Sequence, residues 1–231
     1  MSRGPYPDAG TRHFWPILTR FKRVGVQGVE HIETIFHAAP SERSDEFDGF
    51  NGKALNSGAA GIWGTATTGT PTAIALVQNA PGGVVNIACA ATSEAESNAL
   101  TWGDMLNIQP TKRALVQIVA KIPVAITALQ RVVLGMGTAA NATLNSVTKC
   151  VWFRLETSMA LLIEAVDGTT TVRSQAAGIT LAAATYYRFS IFYDPFGPSR
   201  GFNFYVKDMS ALVPAEHYCG FIPAAAMVAA D

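Results

Sequence analysis

The amino-acid sequence predicts an all-β protein, an antiparallel β-sandwich. Between residues 151 and 206 apolar and polar side chains alternate through four short runs. They are Val151-Trp152-Phe153-Arg154-Leu155, Leu161-Leu162-Ile163-Glu164-Ala165-Val166, Tyr187-Arg188-Phe189-Ser190-Ile191-Phe192-Tyr193 and Phe202-Asn203-Phe204-Tyr205-Val206. A period of two carried by aromatic and β-branched residues is the pattern of strands with one face buried. The links include Asp167-Gly168 and Asp194-Pro195-Phe196-Gly197, residues that favour tight turns. A chain of 231 residues supplies one good-sized core, so one main domain is expected.

Residues 1–46 mix Gly, Pro, Arg and aromatic residues without sustained periodicity, although Val24-Gly25-Val26-Gln27-Gly28-Val29 suits a short strand. They read as an extended N-terminal arm. From Phe47 short apolar segments alternate with Gly, Asn, Thr and Ser, and the sandwich is assigned to residues 47–209. Strands are expected at 73–78, 84–89, 114–122 and 132–136 before the four runs, which makes about eight to twelve in all. Segment 112–129 also fits a helical face through Ala114, Leu115, Ile118 and Val119, but Pro123 and the β-branched content favour a strand. Segment 93–100 reads as a helical turn or loop, because Ser93-Glu94-Ala95-Glu96 resembles a capping box. Residues 210–231 end in Ile222-Pro223-Ala224-Ala225-Ala226-Met227-Val228-Ala229-Ala230, an apolar C-terminal tail that needs a surface on the domain or a partner. No fixed repeat runs through the chain, which disfavours a solenoid or propeller.

Composition narrows the function classes. Hydrophobic residues make up 49% and charged ones only 15%, apolar enough that partners are expected to cover some surface. Lys and Arg balance Asp and Glu at 17 each, so no global field draws nucleic acid or an anionic membrane, and neither is expected as a partner. No run approaches the ~20 apolar residues of a membrane-spanning helix, and the amino end lacks the pattern of a signal peptide. A soluble product is expected. Cys89, Cys150 and Cys219 are odd in number and widely spaced, which predicts buried free thiols and synthesis in a reducing compartment.

Few side chains suggest chemistry. Glu156 and Glu164 flank a short link and are candidates to face one another across a hairpin, as the paired carboxyls of glycoside hydrolysis require. No compact acidic motif accompanies them, so both are expected to be solvent-facing strand residues. His13, His31, His37 and His217 fall in the arm or tail, away from the rigid scaffold that a Ser-His-Asp set needs. Gly135-Met136-Gly137 lacks the third glycine of a dinucleotide loop and reads as a strand end. Asp45, Asp48, Asn51 and Asn56 have no cation-loop spacing and read as turn residues. No catalytic residue, metal or cofactor is therefore expected.

Trp63, Trp102 and Trp152 are candidates for a flat platform under a sugar ring, with core positions the expected alternative for Trp63 and Trp152. Asn141-Ala142-Thr143 matches a glycosylation acceptor and is expected to be an ordinary loop. The arm is the most suggestive stretch. Residues 1–24 carry Arg3, Arg12, Arg20, Lys22 and Arg23 against Asp8, interleaved with His13, Phe14, Trp15, Ile17, Leu18 and Phe21. Guanidinium and aromatic groups dominate interface energies. Arg12, Phe14, Trp15, Arg20, Phe21, Lys22 and Arg23 are accordingly the expected docking residues.

The block running from Asp48-Gly49-Phe50 through Trp152-Phe153-Arg154-Leu155, Glu164-Ala165-Val166-Asp167-Gly168 and Tyr187-Arg188-Phe189-Ser190 to Phe202-Asn203-Phe204-Tyr205-Val206 resembles concanavalin A-like or laminin G-like jelly-roll domains. Within that group it is most similar to those of tailed-phage structural proteins, especially capsid decoration, or cement, proteins. The resemblance implies a jelly roll with an extended arm, assembled as a homotrimer that bridges neighbouring major capsid protein subunits. It implies a non-enzymatic virion protein, made in the host cytoplasm and carried on the capsid surface. Lectin-like relatives bind sugars through loop residues and often calcium, a ligand pattern these loops do not reproduce. The alternative reading is a carbohydrate-binding module of a tail fibre or receptor-binding protein. A third, a polysaccharide hydrolase or lyase, requires turnover that depends on Glu156 or Glu164.

Overall fold

The computed structural model describes residues 63–71, 73–77, 80, 83–89, 96–101, 112–127, 130–138, 144–168, 172–196, 200–212 and 215–224. All of them belong to a compact unit, Asp48–Asp231. The arm residues Arg12, Phe14, Trp15, Arg20, Phe21, Lys22 and Arg23 lie outside the described residues, as do His13, His31, His37, Trp102, Asp45, Asp48, Asn51, Asn56 and the Asn141-Ala142-Thr143 sequence.

The described chain is all-β and antiparallel. Its strands are β1 (Gly64–Thr68), β2 (Ala75–Leu76), β3 (Val85–Asn86), β4 (Ser97–Thr101), β5 (Ala114–Lys121), β6 (Val132–Gly137), β7 (Lys149–Leu155), β8 (Ala160–Asp167), β9 (Val172–Thr180), β10 (Tyr186–Asp194), β11 (Gly201–Asp208) and β12 (Glu216–Pro223). One four-stranded sheet has the order β6-β7-β8-β9, a simple meander, and the other the order β12-β11-β10-β5. Strand β5 thus pairs with β10 across four intervening strands, which all lie in the opposite sheet. Two further pairs, β1 with β4 and β2 with β3, form separate two-stranded ladders.

Alternation explains why the two large sheets face each other. Phe153 and Leu155 of β7, Leu161 and Ile163 of β8, Phe189 and Ile191 of β10, and Phe204 and Val206 of β11 point into one core, each of them almost wholly buried. Each such side chain taken from water stabilises the fold by about 1.5–3 kcal/mol. Phe153 joins the layers: its ring meets Phe189 of β10 edge-on at 5.3 Å and Phe204 of β11 at 5.2 Å. At the sides of the sandwich β5 lies against β6, and β12 against β9 and β8.

Several expectations change here. The apolar tail was assigned from residue 210 onwards, yet Glu216–Pro223 is β12, a full strand that pairs along β11 from Lys207↔Glu216 to Gly201↔Pro223. A bulge between Phe204 and Tyr205 breaks its alternation, which is why the segment does not read as a strand. Segment 93–100 was expected to turn, but Ser97–Thr101 forms β4, held in register by β1 from Gly64↔Thr101 to Thr68↔Ser97. Strand β9 carries Ser, Gln, Ala and Gly and lacks apolar alternation; its pairing with β8 makes it a strand. The strands expected at 73–78 and 84–89 shrink to two residues each. Segment 114–122 is a strand, β5, as Pro123 indicated.

Candidate functional site

The outer face of the β6-β7-β8-β9 sheet holds both carboxylates that sequence reading singled out. Register sets Trp152 directly opposite Glu164, and the indole Nε1–H donates to the Glu164 carboxylate at 2.5 Å. Arg154, two residues along β7, reaches both acids: its Nη1 lies 3.4 Å from Glu164 and its Nε 2.9 Å from Glu156. Glu156 is also met by Arg131 at 3.2 Å. Glu164 is therefore not solvent-facing as expected but only 6% exposed, because β7 supplies an N–H and a guanidinium that compensate its burial. The two acids thus share one arginine, with Glu164 buried and Glu156 partly exposed.

Trp152 is no platform either. It is buried with Val147, Cys150 and Val166, against Val133 and Leu144, in a second small cluster on this outer face. Trp63 is half-buried at the start of the described residues. Gly135 belongs to β6, where the Gly135-Met136-Gly137 sequence ends the strand as expected. Its φ is +157°, and a Cβ there would lie 2.4 Å from the Val151 carbonyl and 2.6 Å from Trp152 Cα.

Cys150 and Cys219 are buried, whereas Cys89 is exposed, a correction to the expectation of three buried thiols; it follows β3, whose two-residue ladder gives little cover. Burial pushes the Cys150 thiol up to about 12, helped by the Glu164 charge, and burial alone pushes Cys219 to about 12. Neither is a nucleophile near neutral pH. The Nε2–H of His217 donates to the Ala177 carbonyl at 3.0 Å, tying β12 to β9. Among the described residues no group of three or more His, Cys, Asp or Glu side chains gathers to hold a metal.

The outer face of the second sheet has a different character. Across β12, β11, β10 and β5 register aligns Tyr218, Tyr205, Ser190 and Gln117 in one row. The row on one side is Phe221, Asn203, Phe192 and Leu115; the row on the other is Glu216, Lys207, Arg188 and Val119. Ser190 and Phe192 lie buried in the middle of this face, while Tyr218 is 52% exposed. The Tyr205 and Tyr218 rings meet at 5.3 Å with a 52° tilt, and Gly201 leaves room for the Phe221 ring, which a Cβ would approach to 2.6 Å. Nothing in the sequence beyond alternation marked these residues, because their grouping depends on pairing between strands far apart in the chain.

One end of this sheet is apolar. The amide of Met209 donates to the Tyr186 carbonyl at 2.8 Å, and that of Ala184 to the Ile122 carbonyl at 2.8 Å, drawing three loops together there. Val124 (68% exposed), Met209 and Leu212 (100%) project from these loops and Tyr186 from the start of β10, with Val119 nearby on β5. Lys121 lies over the Tyr186 ring, 4.8 Å from its centre. Comparison with protein-family models, curated proteins and solved structures gives no match.

Proposed function

We propose that the chain is a non-enzymatic structural protein of a tailed-phage particle, a capsid decoration protein with a jelly-roll sandwich. Copies associate as a homotrimer through the apolar end of the sandwich, and the arm residues Arg12, Phe14, Trp15, Arg20, Phe21, Lys22 and Arg23 grip neighbouring major capsid subunits. The observation that carries this reading is the apolar end itself, where Val124, Met209 and Leu212 on loops and Tyr186 at the start of β10 are exposed, the segments tied by backbone hydrogen bonds. Exposed apolar side chains gathered at one end of a sheet are the form an association surface takes. Covering each large side chain would contribute about 1.5–3 kcal/mol before the costs of association.

The closed Glu164–Arg154–Glu156 chain of contacts supports the absence of a bond-making role. Affinity for the shell comes from multivalency, since several arms on one oligomer turn later contacts into intramolecular events. The test is a decoration assay on native particles read by cryo-microscopy. Trp15→Ala with Arg20→Ala is expected to abolish decoration while the protein stays folded, and Leu212→Asp is expected to yield monomers by light scattering. Full decoration by the arm variant, or an unchanged oligomer with Leu212→Asp, overturns the corresponding half of the reading.

A further inference from the structure

The apolar end of the sandwich has three loop tips, residues 123–125, 182–184 and 209–212, every one of them exposed and none charged. Leu212 is wholly exposed, so its own copy of the chain leaves it uncovered. The charges bordering this end are Lys121, Lys207 and Asp208, beside the ion pair of Arg188 with Glu216. The Asp208 carboxylate already accepts from the Ser210 amide at 2.8 Å and from its hydroxyl at 2.7 Å, whereas Lys121 meets the Tyr186 ring. The border therefore has positive charge to spare. At the opposite end of the same sheet, just past the close of β12, the amide of Ala224 donates to the Arg200 carbonyl at 2.9 Å. The sequence goes on as Ala225-Ala226-Met227-Val228-Ala229-Ala230-Asp231, residues outside the described ones, and no residue from Tyr218 to Ala230 is charged.

We infer that residues 225–231 of one copy cover the apolar end of a second copy, with Met227 and Val228 against Val124 and Leu212 and the Asp231 carboxylate beside Lys121. The inference rests on the reading of that end as an association surface and names what occupies it. Reach decides between the tail's own copy and another. From Arg200 to Met209 the chain runs the length of β11, about 30 Å at the ~3.3 Å per residue of a strand. Even fully extended, Val228 stays within ~14 Å of Ala224 and Asp231 within ~25 Å, so the tail falls short of its own apolar end. Met227 and Val228 gain by leaving water, and the uncharged loop tips of a neighbour offer them a matching surface. Two apolar ends meeting face to face would leave the tails in water. A tail on the next copy's opposite end is a heterologous contact, which repeats in one direction and closes into a ring, here the homotrimer, where the rotation allows.

The test uses the full chain. Met227→Asp with Val228→Asp is expected to turn oligomers into monomers by light scattering, as Leu212→Asp does, with the strand content unchanged by circular dichroism. Oligomers that survive the tail variant but not Leu212→Asp overturn the inference and leave the apolar end standing as an association surface. Oligomers that survive both variants overturn that reading as well. A second measurement needs no loss of assembly. In a Cys89→Ala background, chains carrying Leu212→Cys are produced together with chains carrying Met227→Cys and oxidised with glutathione disulfide. Mass spectrometry is expected to find a disulfide joining positions 212 and 227, which then belong to different chains. Bonds only between two chains of the Leu212→Cys kind, the sign of apolar ends meeting face to face, or no bond at all, overturn the inference.

Discussion

Trp152 and Glu164 are direct cross-strand partners on β7 and β8, and the indole N–H of one meets the buried carboxylate of the other at 2.5 Å. The pair links two layers of the molecule's energetics. The ring completes the small outer cluster with Cys150 and Val166, while the acid holds Arg154 in place beside Glu156. An acid that the sequence leads one to expect at the solvent face is thus a structural anchor.

Replacing that acid tests the anchor. Glu164→Leu leaves the indole N–H and the Arg154 guanidinium short of their acceptor in a buried setting, and a loss of about 2–4 kcal/mol is expected. Glu164→Gln keeps the shape and an oxygen acceptor and is expected to cost less. Denaturant unfolding followed by tryptophan fluorescence measures both, and equal stability for the Leu variant and the parent removes the anchor role.

Phe153 is the ring between the sheets. Phe153→Ala opens a cavity against Phe189 and Phe204, and a loss of about 3–5 kcal/mol is expected. A cost under ~1 kcal/mol by thermal or denaturant unfolding would show that the two sheets do not share this core.

Gly135 has a conformation that L side chains rarely adopt, with the Val151 carbonyl where a Cβ would stand. Gly135→Ala is expected to destabilise the protein by about 1–3 kcal/mol through backbone strain and this collision. Gly137→Ala in the same strand, whose Cβ would meet ordinary contacts at 3.5 Å or more, is the control, and its midpoint in urea is expected to move less.

Thiol accessibility separates the cysteines. In the native protein one thiol, Cys89, is expected to react with excess maleimide, slowly because burial and the neighbouring Glu96 charge hold its pKa above the usual value. All three are expected to react once denatured, and three fast labels on folded protein would contradict the buried positions of Cys150 and Cys219.

Those two thiols also set an alkaline trend. Their unfolded value is near 9 and their folded value about 12, so above pH 9 the unfolded chain has lost protons that the folded one retains. Stability therefore falls as pH rises from about 9 towards about 12. Replacing both by Ala is expected to flatten the decline in unfolding free energy measured across that window, and an unchanged slope would assign the decline to other groups.

The predictability of each strand follows from what its neighbours contribute. Strands β7, β8, β10 and β11 announce themselves because each carries its own run of apolar and polar residue types at strand spacing, a local property of consecutive residues. Strand β9 carries Ala, Gly, Ser and Gln, β4 is five residues long, and the bulge in β12 breaks the alternation, so these become strands only when a partner supplies their hydrogen bonds. Residue type made Glu156 and Glu164 look like a pair. Register decided instead that Arg154 would stand between them and that Trp152 would cover one of them.

The amino-acid order alone thus specifies antiparallel β-structure and its main turns, because periodicity and turn chemistry act between near neighbours. Tertiary structure decides which faces remain available. Tyr218 and Tyr205 come together from separate strands, Tyr186 meets Met209 across a ladder, and Trp152 vanishes beneath a loop. Burial and cross-strand register are set by contacts among residues tens of positions apart, and no local pattern encodes them.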